Sequence, residues 1–344
     1  MSRASAARRL AAAAAYGGGG LGVLGGTLYG LLRAEALMAR WAIGPAVEAP
    51  PDSSGLYGAS FAGDEIEMAM LGDSAAAGYG VSAVQYTTGA LLANGLSEIA
   101  RRPVRLTSVA FVGAESAELD QQIDRVLAGP SRPSIAAVII GVNDVTHRVR
   151  PSESVRMLEA AVRRLRQEGC VVVVGTCPDL GTVRPIAPPL RQLARLWSRR
   201  LAAAQTIAVV EAGGRTVSLA TILGPEFDAA PAELFGPDRY HPSEAGYASL
   251  AGALLPSLVS ALGLLSTEED APEGLLGDGV LPISFAAAEA ARTPGTEVAR
   301  TQVAGRERGP RGRWVLLRHR RRRLRAAPAP EDAHTATLPK GGVV

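Results

Sequence analysis

Two short polar motifs, far apart in the chain, have the residue types of an activated nucleophile. Gly72-Asp73-Ser74 follows a short apolar run, and Asp238-Arg239-Tyr240-His241 precedes a helical pattern. A serine hydroxyl needs a neighbouring base to become a nucleophile, and histidine is the usual one. Asp238 stands three residues before His241, close enough within one turn to orient the imidazole and stabilise its cation. Either motif alone also fits an ordinary strand–helix turn or a solvated loop.

The choice of base rests on elimination, because the chain has 4 histidines. His319 and His334 lie in an Arg-rich and Pro-rich C-terminal segment, and His147 has no carboxylate three residues before it. His241 is therefore the predicted base, with Asp238 as its partner.

Two further positions could supply hydrogen-bond donors beside Ser74. Gly113 offers a backbone N–H, and Asn143, within Gly141-Val142-Asn143-Asp144, offers a side-chain amide. Together with the N–H of Ser74 they would stabilise the oxyanion of a tetrahedral intermediate. Asn-Asp is equally typical of a turn.

The elements that must position these residues are short apolar runs alternating with helical patterns. Parallel strands buried on both faces read as continuous apolar runs, and strand–helix alternation implies a sheet covered on both sides. The predicted strands are Ile66–Leu71, Val104–Ala110, Ile135–Ile140, Val171–Thr176 and Arg215–Ala220. Helices are predicted from Leu190 to a stop at Gly213-Gly214, and after Ser243 as N-cap.

The order Ser, Gly, Asn, Asp-x-x-His along residues 66–262 resembles the SGNH (GDSL-type) hydrolase family. The matching stretches are Met70–Ser74, Gly113, Gly141–Asp144 and Asp238–Pro242. The resemblance implies an α/β fold, a flavodoxin-like three-layer α/β/α sandwich with a five-stranded parallel sheet of order 2-1-3-4-5. It also implies ester hydrolysis through a serine acyl-enzyme. The implied roles are nucleophile, base, orienting carboxylate and oxyanion donors for Ser74, His241, Asp238, Gly113 and Asn143.

One residue departs from the family pattern, and three functions stay open. Ala75 replaces the leucine of the GDSL signature, which bears on pocket shape more than on chemistry. The expected function is hydrolysis of carboxylic esters, with short acyl or acetyl groups because a domain near 200 residues leaves no room for a large lid. Acyl or acetyl transfer by the same serine, and non-catalytic binding at the cell surface, are the alternatives. The Gly-x-Ser-x-Gly elbow of ordinary α/β-hydrolases is absent.

The sequence predicts neither a metal site nor a cofactor. No His or Cys spacing resembles that of metal ligands. Cys170 and Cys177 bracket a predicted strand, which holds their Cα atoms too far apart for a disulfide. Both cysteines are expected to be unpaired and structural.

The charge distribution separates a body from a tail. The net charge of +3 comes from 36 Lys+Arg and 33 Asp+Glu, but ten arginines fall within residues 305–325. The rest of the chain is mildly acidic, so nucleic acid is not an expected partner. Residues 264–344 are predicted to be a disordered tail, whose Arg-rich stretch could rest on anionic lipid or cell-wall polymer.

The N-terminal region predicts a membrane segment. Residues 10–32 carry no charge and follow Arg3, Arg8 and Arg9, which favours an anchor with the rest of the chain on the extracytoplasmic side. Secretion after cleavage of a signal peptide behind Ala36, or a buried Ala/Gly-rich helix, are the alternatives. The expected organisation is a signal-anchor over 1–43, a linker over 44–63 and a hydrolase domain over 64–263.

Overall fold

The computed structural model describes residues 26–264, together with the backbone of 302–303 and 306–307. The strands in residues 26–264 are β1 Gly55–Tyr57, β2 Ile66–Gly72, β3 Val104–Ser108, β4 Ile135–Ile139, β5 Val171–Gly175 and β6 Arg215–Val217. A separate antiparallel pair consists of β7 Gln302–Val303 and β8 Arg306–Glu307.

Helices fill most of the connections between these strands. The helices are α1 (residues 26–43), α2 Ser74–Ala77, α3 Thr88–Ala100, α4 Leu119–Leu127, α5 Val142–Thr146, α6 Pro151–Gln167, α7 Leu190–Glu211, α8 Leu219–Ile222, α9 Gly224–Ala229, α10 Pro231–Leu234 and α11 Glu244–Ala261. Short 3₁₀ turns lie at Val84–Tyr86, Ser116–Glu118 and Leu180–Thr182.

The main sheet has six strands in the order β1-β3-β2-β4-β5-β6. The five strands from β2 to β6 are parallel, and their order is the predicted 2-1-3-4-5. β1, which pairs antiparallel with β3, was not predicted. It lies inside the segment 44–63 that was expected to be a linker. The strand has only three residues, and the segment around it is rich in Pro, Gly and Ser. It therefore shows no alternation of apolar and polar side chains from which a strand could be predicted.

Two apolar layers cover the faces of the sheet, which makes the fold a three-layer α/β/α sandwich. Along β2, Met68 and Met70 pack with α3 and α11 on one face, whereas Ala69 and Leu71 pack with α4 and α6 on the other. This alternation follows from the two-residue period of a strand. Both faces are buried, as the continuous apolar runs predicted.

The long helices begin and end close to where the sequence placed them. Ser243 caps α11 by accepting a hydrogen bond from the N–H of Gly246, and α7 stops shortly before Gly213, whose φ is +79°. The last predicted strand, Arg215–Ala220, was too long. β6 ends at Val217, and Leu219 already begins α8.

The N-terminal helix α1 rests on the domain instead of standing apart from it. The carboxylate of Glu35, which is buried, accepts a hydrogen bond from the N–H of Leu190 at the start of α7. Ala39 belongs to the same apolar core as α3 and α11. Within the part of the chain that the structure describes, none of the helices combines the length and the apolar character needed to cross a bilayer. Of the predicted anchor over 10–32, residues 10–25 lie outside the described residues, as does the Arg-rich stretch except for its two residues in β8.

Candidate active site

Ser74 stands where β2 turns into α2 at the carboxyl edge of the sheet. Gly72 has a φ of +131°, and a Cβ there would collide with the carbonyl oxygen of Ile139 in β4. Only glycine therefore allows the chain to turn so close to the neighbouring strand. The side chain of Asp73 caps α2 by accepting a hydrogen bond from the N–H of Ala75 at 3.0 Å. The amide of Gln122, from α4, binds both the N–H and the C=O of Gly72, at 2.7 and 2.9 Å.

Ser74, His241 and Asp238 form one hydrogen-bonded chain. Nε2 of His241 lies 3.1 Å from Oγ of Ser74, and Nδ1 lies 2.6 Å from Oδ2 of Asp238. A proton on Nδ1, held by the carboxylate, leaves the lone pair of Nε2 directed at the serine hydroxyl. The side chains of His241 and Asp238 are 13% and 21% exposed. The three residues that the sequence singled out are thus brought together.

The loop between α10 and α11 holds Asp238 in place. Oδ1 of Asp238 accepts hydrogen bonds from the backbone N–H groups of Tyr240 and His241, at 2.9 and 3.0 Å. The loop closes through a hydrogen bond from the N–H of Gly236 to the carbonyl of His241. Burial alone would raise the pKa of Asp238, but the hydrogen bonds from His241 and from the two N–H groups outweigh it and lower the pKa. Asp238 is therefore negatively charged at neutral pH, and it can stabilise the positive charge that His241 acquires when it takes up a proton.

Two aromatic rings flank the imidazole, a feature that the sequence did not reveal. The rings of Tyr79 and Tyr240 have centroids 4.5 and 4.8 Å from that of His241, at interplanar angles of 58° and 88°. The hydroxyl of Tyr247 donates to the carbonyl of Tyr79 at 2.7 Å, which ties the end of the α2 region to α11. Tyr79 follows Ser74 by five residues, and nothing in that spacing marks it as a neighbour of His241.

Gly113 and Asn143 lie at the same edge of the sheet as Ser74. Past β3, the chain continues along β2, with the N–H of Phe111 bound to the carbonyl of Gly72. Gly113 follows with a φ of +88°, and the position that a Cβ would occupy there is open. The side-chain amide of Asn143, in α5, donates to the carbonyl of Ala114 at 2.9 Å. Because this amide carries two hydrogens, one hydrogen remains for a ligand.

Two buried acids adjoin the site without belonging to the Ser–His–Asp chain. Burial raises the pKa of Asp73 to about 7. Burial likewise raises the pKa of Asp144, whose carboxylate accepts hydrogen bonds from the N–H and hydroxyl of Ser116. This contact fixes the segment after Gly113 to α5, and so supports the Gly113–Asn143 pair.

Ser74 and His241 open onto a cavity of about 720 Å³, a figure that includes its open mouth. Its walls are mainly apolar and come from short helices and turns that follow the strands at the carboxyl edge of the sheet, among them Val142, Leu180, Val183, Leu219, Phe227 and Phe235. Such a cavity suits an uncharged acyl chain better than a charged group.

The buried carboxylate of Asp179 supports one wall of this cavity. It accepts hydrogen bonds from the N–H of Gly181 at 2.8 Å and from the guanidinium of Arg199 at 2.8 Å. Arg195 approaches the same carboxylate at 3.3 Å. These hydrogen bonds hold the turn that forms this wall against α7.

The remaining candidates for chemistry lie elsewhere. His147 binds Glu115 at 2.7 Å and takes no part in the Ser–His–Asp chain. Cys170 and Cys177 are buried and unpaired, as the spacing predicted. Burial raises the pKa of Cys170 to about 12, so its thiol is unreactive at neutral pH. Within residues 26–264, no group of three or more His, Cys, Asp or Glu side chains is placed to hold a metal ion.

Known proteins resemble this chain over the same region. Residues 70–249 match the model of the GDSL-like Lipase/Acylhydrolase family. A GDSL-like esterase of Mycobacterium tuberculosis is 40% identical over 252 residues, which are 69% of this chain and 80% of the relative.

Solved structures resemble it more distantly. One is LAE5, an alpha/beta hydrolase from the metagenome of Lake Arreo, with 22% identity, a TM-score of 0.44, and 58% of this chain and 96% of that chain covered. Another is Axe2, an acetylxylan esterase of Geobacillus stearothermophilus, with 18% identity, a TM-score of 0.44 and the same shares covered. On the family model and the relative of 40% identity, the chain belongs to the GDSL-like lipase/acylhydrolase family of ester hydrolases.

Proposed function

We propose that this enzyme hydrolyses carboxylic esters through an acyl-enzyme on Ser74, with His241 as general base and Asp238 as the group that orients it. The observation that carries the proposal is the pair of contacts on the imidazole, 3.1 Å from Nε2 to Ser74 and 2.6 Å from Nδ1 to Asp238. Both distances lie within the range needed for direct proton transfer and for orientation.

Acylation begins when Oγ of Ser74 attacks the ester carbonyl carbon and Nε2 of His241 takes the hydroxyl proton. The carbonyl oxygen becomes an oxyanion, for which the N–H groups of Ser74 and Gly113 and the amide of Asn143 are the proposed donors. The tetrahedral intermediate then collapses. The bond to the leaving oxygen breaks, and Nε2–H of His241 gives its proton to the departing alcohol.

Deacylation repeats the sequence with water as the nucleophile. His241 takes a proton from water while the water oxygen attacks the acyl carbon. The bond to Oγ of Ser74 then breaks, the serine recovers its proton from His241, and the carboxylic acid leaves. In both halves His241 becomes an imidazolium, which the anionic Asp238 and the flanking ring of Tyr79 stabilise.

The proposed substrates are esters with short acyl groups, acetyl included. The apolar cavity beside Ser74 supports an uncharged acyl group, and the size of the domain supports an entrance without a large lid. Initial rates on p-nitrophenyl acetate, butyrate and palmitate test this proposal, with the rate expected to fall as the acyl chain lengthens. A clear preference for palmitate would contradict it.

The roles of the reacting pair are tested with the same chromogenic esters. Ser74→Ala and His241→Ala are expected to remove activity, whereas the matched change His147→Ala, in a histidine bound to Glu115, is expected to leave it intact. A folded wild type that hydrolyses none of the esters, or a Ser74→Ala variant that keeps its activity, would refute the proposal.

We also propose that the enzyme acts on the extracytoplasmic side of a membrane, either anchored there or secreted. The support is the uncharged segment 10–32 with three arginines before it. Fractionation of cells, with added protease to test which side the enzyme faces, checks this proposal. An enzyme recovered entirely from the cytoplasm would contradict it.

A further inference from the structure

Helix α1 has two apolar faces, and only one of them packs against other parts of residues 26–264. The face toward the domain contains the buried Glu35 and Ala39 and three half-buried neighbours. The opposite face is exposed and is called here the outer stripe, formed by Leu31, Ala34, Leu37, Met38 and Trp41. Steps of three and four residues place these side chains along one line of the helix.

The outer stripe is unusually apolar for a protein surface. Leu37 is 61% exposed and Trp41 is 88% exposed. Single exposed apolar residues are common on soluble proteins, but a contiguous stripe with a tryptophan is typical of a surface that binds a partner or a membrane. Past the end of α1, Val47 is a further exposed apolar side chain, at 80%.

The charges of α1 favour an anionic partner. Arg33 and Arg40 are exposed, and they fall on the same flank of the stripe. The one acidic residue of the helix, Glu35, is buried against Leu190 and offers no negative surface. An exposed apolar stripe flanked by arginines is the arrangement of a helix that lies in the interface of an anionic bilayer. If two copies packed through this stripe, their arginines would instead come close together and repel each other, because α1 offers no exposed acidic side chain to pair with them.

The segment that follows α1 lies beside the active site. The N–H of Val47 donates to the hydroxyl of Tyr79 at 3.3 Å, and the ring of Tyr79 packs against His241. α1 itself contacts the start of α7, where Glu35 accepts a hydrogen bond from the N–H of Leu190. Because Val47 follows the end of α1 by four residues, a surface that takes up the stripe is brought near the active site.

We propose that the outer stripe of α1 binds the surface of an anionic lipid bilayer and holds the active-site entrance against it. The proposed binding is supported by the stripe and its arginines, and it does not depend on the proposed function. The consequence that esters carried in the bilayer reach Ser74 rests in addition on the proposed function. This surface shares only Leu31 with the segment 10–32, and it is separate from the Arg-rich tail.

The test compares the binding of full-length variants to vesicles. Phosphatidylcholine vesicles with about one third phosphatidylglycerol are sedimented with the wild type, with the double variant Leu37→Ser/Trp41→Ser, and with Ile207→Ser. Ile207, on α7, is 62% exposed and so matches Leu37. The double variant is expected to bind at least about tenfold more weakly, because it loses two large apolar groups. Ile207→Ser is expected to bind like the wild type, and added salt is expected to weaken wild-type binding.

Several results would overturn the proposal. Equal binding by the wild type and the double variant would show that other segments carry the attraction. Shielding of Trp41 from acrylamide before vesicles are added, measured as the fluorescence difference between the wild type and Trp41→Phe, would show that the chain itself covers the stripe. A dimer that becomes monomeric in the double variant, with no vesicle binding, would show an interface between copies.

Hydrolysis of p-nitrophenyl acetate in free solution separates this proposal from the proposed function. The double variant is expected to keep the wild-type rate on this soluble ester, because neither residue touches the Ser–His–Asp chain. It is expected to lose rate on an acetyl ester of a long-chain alcohol embedded in the vesicles. A wild type that binds vesicles but hydrolyses nothing would contradict the proposed esterase function and would support the proposed membrane binding.

Discussion

Replacing Asp238 by asparagine tests the electrostatic part of the site without changing its shape. Oδ1 of Asp238 holds the N–H groups of Tyr240 and His241, and an asparagine oxygen can accept both bonds. Oδ2 receives the proton of Nδ1 at 2.6 Å, and here asparagine presents an NH₂ group, which donates. The imidazole then accepts at Nδ1 and carries its proton on Nε2. In that tautomer it donates toward Ser74 and can no longer take the serine proton.

The expected loss is about 10³–10⁴-fold in kcat, which corresponds to about 4–5.5 kcal/mol of transition-state stabilisation. Two effects contribute to it, the wrong tautomer and the missing counter-charge for the imidazolium. The 21% exposure of Asp238 allows water to replace part of the counter-charge, which favours the lower part of this range. KM is expected to change little, because Asp238 does not line the cavity.

Steady-state hydrolysis of p-nitrophenyl acetate measures the effect, with circular dichroism to check the fold. The matched control is Asp228→Asn, which removes an exposed carboxylate paired with Arg184 at 2.8 Å and is expected to keep wild-type activity. A kcat for Asp238→Asn within about tenfold of the wild type would refute the assignment, because neither the tautomer nor the counter-charge would then limit the reaction.

Three further predictions concern residues around the same chain. Asn143→Ala removes a proposed oxyanion donor and is expected to lower kcat about 10²–10³-fold in steady-state assays; unchanged turnover would exclude that role. The ring of Tyr79 lies against His241 and is expected to stabilise the imidazolium relative to the neutral imidazole by about 0.5–1.5 kcal/mol. Tyr79→Leu is therefore expected to lower kcat about two- to tenfold at constant KM, whereas Tyr79→Phe keeps activity. A loss confined to KM would point to substrate binding instead. Burial raises the pKa of Asp73 from 3.8 to about 7, so the proton is held more tightly in the folded state, and wild-type stability falls as pH rises from about 4 to about 7, by up to roughly 4 kcal/mol. Asp73→Asn lacks this loss, so the difference in free energy of unfolding between variant and wild type, from urea titrations, is expected to grow from about pH 4 to about pH 8. A constant difference would contradict the raised pKa of Asp73.

The parallel part of the fold could be predicted because its signals are local. Continuous apolar runs such as Ile135–Ile139 mark strands buried on both faces, and Ser243 and Gly213 mark helix ends. The antiparallel strand β1 could not be predicted in this way. Its three residues pair with β3, and that contact is set by tertiary packing and not by any local pattern.

The residues of the active site likewise fall into those that a local motif reveals and those that only the folded structure reveals. Ser74, Asp238 and His241 carry reactive groups in short motifs, so their types and spacing reveal them. Tyr79 and Gln122 act through position alone, since an aromatic ring and an amide are common throughout proteins. Their roles become visible only when α2, α4 and the loop before α11 are placed around the end of β2.

The contact between Ser74 and His241 joins positions 167 residues apart. His241 lies in the loop just before α11, and α11 packs against α3. Closing so long a loop carries a large entropic penalty, and such non-local contacts are slow to form. On the proposed mechanism, an incompletely synthesised chain that lacks its last third is therefore expected to be inactive, even if most of its sheet has formed. During refolding, the recovery of hydrolysis should lag behind the recovery of the far-ultraviolet signal, so enzymatic activity reports the completed fold and not the mere presence of its parts.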